Sequence, residues 1–243
     1  MSTRYRLSVS PHDTARNLAG WYLLNTYLQR KLGLAMRFEP SDNFEHEQEQ
    51  VMAGGFHLAY AHPFSALKYV QERGFVPVAR PMGTYDETLL VSRQGHGLPA
   101  PRPLRVASAS DQLLVHVLGM SLLNQHGIGP EQCQLQFTGN HVRSVQAVLD
   151  GRVDVGFVYS ETWHGLSAST REGLEILSAT SRQVASHCFC VAPELADRLD
   201  DVREVLCSMG ADPAGRKILD DLRISGFEAM AANALDPLAD LVH

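Results

Sequence analysis

One plan of residues occurs twice in this chain, about a hundred positions apart, and it limits the possible folds more than any other feature. Glu45 to Ala61 reads as a polar helix start, then Val51-Met52-Ala53-Gly54-Gly55, then the apolar run Phe56-His57-Leu58-Ala59-Tyr60-Ala61. Val142 to Val158 repeats the order: a helix ending Val148-Leu149-Asp150-Gly151, then Val153-Asp154-Val155-Gly156-Phe157-Val158. In each copy a glycine stands where a helix must stop in a left-handed conformation, which is open to a residue without a Cβ. The short unbroken apolar run suits a strand covered on both faces. Two helix–glycine–strand units predict two similar α/β lobes, and two such lobes normally hold a ligand between them.

At 243 residues, the chain is long enough for one large domain or two smaller ones. A hydrophobic fraction of 44% with 20% charged residues is ordinary for a globular protein with a real core. The net charge of −6 argues against nucleic acid as a partner, since phosphate backbones require a basic stripe. No apolar stretch reaches the roughly 18 residues of a membrane span, so no membrane insertion is expected.

The segment after Met1 leads directly into Tyr5-Arg6-Leu7-Ser8-Val9-Ser10, which alternates like a first strand. A charged stretch followed by an apolar leader core is not seen there. The expectation is a cytoplasmic protein if Met1 is the native start, or a periplasmic one if a leader was removed. Cys188 and Cys190 lie two apart on an expected strand, side by side on one face and ill placed to bond to each other. Alternation throws His187 to the other face, so His187-Cys188-Phe189-Cys190 reads as strand packing and no metal site is expected.

Strand and helix patterns alternate throughout, the mark of α/β architecture. Strands are predicted near residues 4–10, 36–40, 56–61, 76–80, 87–92, 104–107, 134–137, 153–158, 174–177 and 186–192. The first long helix is predicted over about 14–32, with Leu18, Tyr22, Leu24, Leu28 and Leu32 on its apolar side and Gly33 as its stop. Further helices are expected over 64–73, 112–126, 195–209 and 214–225, followed by a short tail. The Gly/Pro cluster of residues 94–103 is the clearest boundary. With apolar crossings near 87–92 and 186–192, it gives a first lobe of residues 1–92 completed by 188–243, and a second lobe of 93–187 inserted between.

These features together resemble a known family, the phosphate/phosphite/phosphonate-binding proteins of ABC importers, which have the type 2 periplasmic binding fold. The resemblance spans essentially the whole chain. It is carried by Val9-Ser10-Pro11, by Gly54 with Tyr60-Ala61-His62-Pro63-Phe64, by Gly83-Thr84-Tyr85, by Ser108-Ala109-Ser110-Asp111 and by Gly139-Asn140-His141. Gly151-Arg152-Val153-Asp154-Val155 leading into Tyr159-Ser160, and the closing Pro213-Ala214-Gly215-Arg216-Lys217-Ile218-Leu219, complete it.

The resemblance implies a two-lobed α/β fold, each lobe a sheet flanked by helices, with two crossover strands and a ligand cleft closed by a hinge motion. It implies a solute-binding protein for a small phosphate- or phosphonate-like anion, with an ABC permease as partner and no cofactor. It further implies that a hydroxyl-rich loop at a helix N-terminus holds the anion, helped by a histidine from the next strand–helix turn. Ser108 and Ser110 would be the hydroxyls and His141 the histidine. Helix N-termini suit this role independently, because their unpaired N–H groups carry partial positive charge. Ser110 or Asp111 could equally serve as a plain cap, and His141 as a first-turn residue beside an Asn140 cap.

The loop departs from the family's Ser-Thr-Ser-Gly-like pattern by reading Ser-Ala-Ser-Asp. One hydroxyl is lost, and the Asp111 carboxylate is repulsive to a dianion unless the ligand is monoprotonated. Other candidate contacts are polar or aromatic tips at strand ends: His62, Tyr85, Tyr159 and Glu161, with His12 and Asp13 after the first strand. Tyr60, Trp21 and Trp163 read as packing residues. Glu161 could pair an amine on a ligand or sit at a helix start for its dipole.

Catalytic signatures are absent: there is no G-x-S-x-G, Walker A, G-x-G-x-x-G or H-E-x-x-H sequence, and no catalytic residue is expected. Two other readings stay open on the sequence. One is a cytosolic ligand-sensing domain, and the other is an enzyme on the same fold acting on a small carboxylate.

Overall fold

A computed structural model describes residues 5–41, 43–99 and 103–241 of the chain. The chain opens with β1 (Tyr5–Val9), α1 (Pro11–Leu32), β2 (Met36–Phe38), α2 (Phe44–Ala53), β3 (Leu58–Ala61), α3 (Pro63–Arg73) and β4 (Val76–Pro81). It continues through β5 (Thr88–Arg93), β6 (Leu104–Ser108), α4 (Leu114–Gln125), β7 (Cys133–Phe137), α5 (His141–Leu149) and β8 (Val155–Tyr159). Then come α6 (Ser160–Gly165), α7 (Ala168–Glu172), β9 (Leu174–Ala179), β10 (Cys188–Val191), α8 (Leu199–Ser208), α9 (Pro213–Leu222) and β11 (Phe227–Ala229).

Two compact units result. Unit 2 is Asp86–Val184, while unit 1 runs to Tyr85 and resumes at Ala185. Both boundaries fall a few residues earlier than the sequence pattern suggests. The Gly/Pro cluster, of which 100–102 lie outside the described residues, is therefore internal to unit 2.

In unit 1 the sheet order is β11-β4-β10-β3-β1-β2. β1 runs parallel to β2 and β3, while β10 is antiparallel to β3 and β4. Unit 2 carries the order β7-β6-β8-β5-β9, with β6 parallel to β7 and β8, and β5 antiparallel to β8 and β9. The two repeat strands thus occupy equivalent places. Each lies between a parallel strand (β1 or β6) and the antiparallel strand (β10 or β5) expected as a crossing. The glycines before them have positive φ, +98° and +87° at Gly54 and Gly55 and +69° at Gly151, where a β-carbon would be strained.

Burial follows the sequence pattern in unit 2. Leu90, Val106, Val155 and Phe157 pack against Val115 and Leu122 of α4 on one face. Val91, Ala107 and Val158 pack against Val145 and Val148 of α5 on the other. Each such side chain taken fully out of water contributes about 1.5–3 kcal/mol, so the two faces fix both helices on the sheet.

In unit 1 the buried stripe of α1 differs from the expected one. Leu18 and Tyr22 are 44% and 47% exposed, and the residues that face the core are Trp21, Leu24, Leu28 and Leu32. The helix begins at Pro11 rather than near Thr14, and Asn17, with φ −158° and ψ 76°, breaks it after two turns. Trp21, Leu24, Leu28 and Leu32 recur at steps of three and four residues on one face of the turns after the break, and Tyr22 falls off that face. Trp21 then lies against Tyr60, with ring centroids 4.7 Å apart.

Other differences are local. The expected helix from 195 begins as a 3₁₀ turn (Pro193–Arg198) and becomes α-helical only at Leu199. The expected tail contains β11, which completes the sheet edge beside β4. Cys188 and Cys190 are free, their sulfurs 3.7 Å apart on one face of β10. Among the described residues, no helix is long and apolar enough to cross a membrane, and no group of His, Cys, Asp and Glu is arranged to hold a metal ion.

Candidate functional site

The C-terminal ends of β6, β7 and β8 lie side by side in unit 2 and carry most of the residues singled out from the sequence. After β6 the chain does not enter a helix at Asp111. It makes a turn, and α4 starts only at Leu114 with Leu113 as its N-cap. The turn forms because Ser110 Oγ accepts from the backbone N–H of Gln112 at 3.2 Å, a local bond that competes with helix entry. No side chain caps α4, so its first-turn N–H groups keep their outward partial charge.

The turn after β7 is tied to this loop. The N–H of Thr138 donates to Ser108 O, and that of Gly139 donates to Ala109 O, each at 2.9 Å. Thr138 Oγ1 lies 2.7 Å from Ser144 Oγ, which holds the start of α5. Asn140 caps α5, as its position before the helix suggests, accepting from the N–H of Arg143 at 2.9 Å. His141 is the first residue of α5. It is buried, and its ring packs on Tyr159 with centroids 5.9 Å apart.

Four candidates therefore gather at this end of the sheet: Ser108, Ser110, His141 and Tyr159. Their roles differ from one another. Ser108 is buried and already engaged, with its hydroxyl 3.2 Å from His116 Nδ1 and 3.3 Å from Ser110 O. Burial pushes the His116 pKa down, which favours the neutral ring, and Phe137 and Phe157 lie against it. Tyr159 is buried too and donates to Asp86 Oδ1 at 3.3 Å. Ser110 is half-buried at the mouth of the loop. Asp111 is exposed beside it, so water screens its charge. Glu161 lies in the first turn of α6, 3.7 Å from His164 Nδ1, in keeping with the helix-start reading.

Two candidates belong to unit 1. Tyr85 lies under the guanidinium of Arg80, 5.1 Å from ring centroid to Cζ, and Arg80 is also bound to Glu228 at 2.8 Å. His62 is buried at the N-cap of α3, with Nε2 2.8 Å from Ser65 Oγ. Around it lies a larger polar group, of which the sequence reading singled out only Asp13 as a candidate contact. Glu47 is buried and accepts from Ser8 and Tyr69. His187 stacks on Tyr60 with centroids 5.8 Å apart, and its Nε2 lies 3.5 Å from Asp13 Oδ2.

His116, Thr138 and Asp86 were also missed in unit 2. The available signal was position, since His116 lies in the first turn of α4, Thr138 just beyond β7 and Asp86 two residues before β5.

Two mixed sheets flanked by helices, with polar side chains gathered at the strand ends, are the build of a substrate-binding protein of the two-lobed periplasmic type. Residues 7–235 match the family model described as the periplasmic substrate-binding protein of phosphonate ABC transporters. The chain belongs to that family, whose members are binding proteins and not enzymes. No curated protein matches the chain in sequence.

Solved structures show the same fold. PhnD1 from Prochlorococcus marinus, in complex with methylphosphonate, has a TM-score of 0.85 and 14% identity over 98% of this chain and 97% of its own. A binding protein component of an ABC phosphonate transporter from Pseudomonas aeruginosa gives 0.80 and 16% over 99% and 86%. A Xanthomonas citri protein bound to ATP gives 0.76 and 16% over 99% and 96%.

Proposed function

We propose that this chain binds a small phosphonate- or phosphate-like oxyanion at the C-terminal end of the sheet in unit 2 and delivers it to the permease of an ABC uptake system. The observation that supports this reading is the start of α4. Its first-turn N–H groups have no side-chain cap, and the loop that leads to them carries the half-buried Ser110 hydroxyl and is hydrogen-bonded to the turn before His141. A tetrahedral oxyanion meets fixed partial charge there without the loop having to reorganise. In this reading Ser110 and His141 donate to the ligand. Ser108 acts through His116 to hold the loop, and Tyr159 backs the imidazole of His141. Membership of the family and the methylphosphonate in PhnD1 favour the same ligand class.

Calorimetric titration of the full chain with phosphate and methylphosphonate tests the proposal. Binding by the wild type is expected, weakened about ten- to a hundredfold by Ser110→Ala and by His141→Ala, the loss of one hydrogen bond to a charged ligand. Unchanged affinity in both variants would overturn the site, and absence of binding by the wild type would overturn the ligand class.

A further inference from the structure

Unit 2 holds a cavity at the end of its sheet that the proposed function does not use. It lies where β5 ends and where β6 and β8 begin, whereas Ser108, Ser110 and His141 lie at or beyond the opposite ends of β6 and β7. The five residues of β8 separate the two ends by roughly 16 Å. The cavity has a volume of about 150 Å³, and its lining includes Arg93, His96, Gly97, Arg105, Gly151 and Asp154, all within unit 2. Pockets for drug-sized ligands begin at about 300 Å³, so this one has room for a small ion and not for a nucleotide.

The lining carries more positive than negative charge. Arg105 is fixed in place, with Nε and Nη2 donating to Asp154 at 3.2 and 2.7 Å and Nη1 donating to Arg152 O at 3.0 Å. Those bonds use three of its five N–H groups. The other carboxylates nearby are engaged and outside the lining: Asp150 by Arg152 at 3.1 Å, and Glu175 by Ser92 Oγ at 2.8 Å and the Gly97 N–H at 2.6 Å. The last carbonyls of α5, which would repel an anion, accept from the N–H groups of Asp150, Gly151 and Arg152. Arg93 is different: its guanidinium makes no hydrogen bond or ion pair with the described residues. It lies over Gly151, where a β-carbon would stand 3.2 Å from Nη1. With a φ of +69° and no side chain, Gly151 leaves that space to the arginine. The ring of His96, its Nδ1 3.0 Å from Gln94 O, forms part of the wall. An oxyanion entering this cavity meets two planar N–H forks, while a cation meets their charge.

We propose that Arg93 and Arg105 form a second oxyanion site in unit 2, sized for inorganic phosphate or a small carboxylate, at the end of the sheet away from Ser110. It does not depend on the reading given above and stands whichever solute the Ser110 end takes.

The test is proton–nitrogen NMR of the full chain, titrated with inorganic phosphate and with acetate. Sodium chloride holds the ionic strength constant, so that general screening does not move the signals. The Nε–H signals of Arg93 and Arg105 and the amide of Gly151 read the site. Saturable shifts with a Kd of about 1–10 mM are expected for two guanidinium groups open to water. Arg93→Gln should weaken binding at these signals by about tenfold or more. Its melting temperature should be unchanged, because Arg93 gives up no partner in the described fold. Ser110→Ala should leave the shifts as they are. Shifts that grow linearly up to about 50 mM of either anion overturn the site. So do saturable shifts that Arg93→Gln leaves unaltered. Shifts lost in Ser110→Ala would report the other end of the sheet and overturn it as well.

Discussion

The hydroxyl of Tyr69 donates a 2.9 Å hydrogen bond to Glu47 Oε2, and the buried carboxyl it reaches is bound on its other oxygen by Ser8 at 2.8 Å. Burial lifts the Glu47 pKa from 4.5 to about 7, against the pull of the two hydroxyls and of His187, all of which favour the anion. The folded protein therefore binds this proton more tightly than the unfolded chain does.

Stability from this group is fully present below about pH 4.5 and is lost as pH rises through about 7, a change of about 3 kcal/mol in all. Glu47→Gln keeps the shape and one accepting oxygen while removing the charge, and its NH2 donates to the other hydroxyl, whose bond is reversed. Urea unfolding from pH 4 to pH 8 should show a smaller fall in stability with rising pH for the variant than for the wild type. Equal slopes would show that Glu47 titrates as an ordinary carboxyl.

His116 is expected to act in the opposite sense. Its folded-state pKa lies below 6.5, so the stability it contributes is present above pH 6.5 and is lost as pH falls toward the folded value. His116→Phe keeps the ring against Phe137 and Phe157, removes that acid loss and leaves Ser108 Oγ without its Nδ1 neighbour. Methylphosphonate affinity should fall by a few-fold, about one neutral hydrogen bond's worth, because the loop loses an anchor. Unfolding curves at pH 5 and pH 7, run beside calorimetry, measure both effects.

Gly119 of α4 faces Phe157. A β-carbon there would come within 2.3 Å of the ring of Phe157, which is fully buried. Alanine is the better helix former by about 1 kcal/mol, yet Gly119→Ala should destabilise the protein by about 1–3 kcal/mol through overpacking. A higher midpoint in urea would show that α4 can shift outward without cost.

Asp154 precedes β8, at the end of the sheet away from Ser108 and Tyr159. It accepts from the Arg105 backbone N–H at 2.9 Å and from Arg105 Nη2 at 2.7 Å. The carboxylate is buried and the arginine is partly exposed, so most of the loss on Asp154→Ala comes from the backbone N–H left without its acceptor. About 1–3 kcal/mol of stability should go, with methylphosphonate affinity unchanged. A change in affinity would mean that the strand register reaches the site.

Much of this architecture could be read from residue patterns because its signals are local. Asn140 caps α5 through a bond three residues along, and the repeat strands are apolar over their whole length. The start of α4 was misplaced because Ser110 and Asp111 suit a cap and a turn equally, and packing of Leu113 and Leu114 into the core decides between them. The break at Asn17 was not legible, because the side chain there is fastened by a bond from its Nδ2 to Asp221 O, far away in the sequence. The His187–Asp13 and His116–Ser108 pairs needed the folded sheet before they could be seen. Short strands such as β11 have no periodicity to read and exist through their partner.

The position of β10 has a consequence for how the chain comes to be folded. It fills the slot between β3 and β4, so the sheet of unit 1 has a gap at its centre until residues 188–191 have been made. Unit 2 is one uninterrupted stretch and has all its strands as soon as Val184 leaves the ribosome. During synthesis the later-made unit is therefore the first that can close its core, and the part of unit 1 up to Tyr85 must wait with open strand edges for the chain to return.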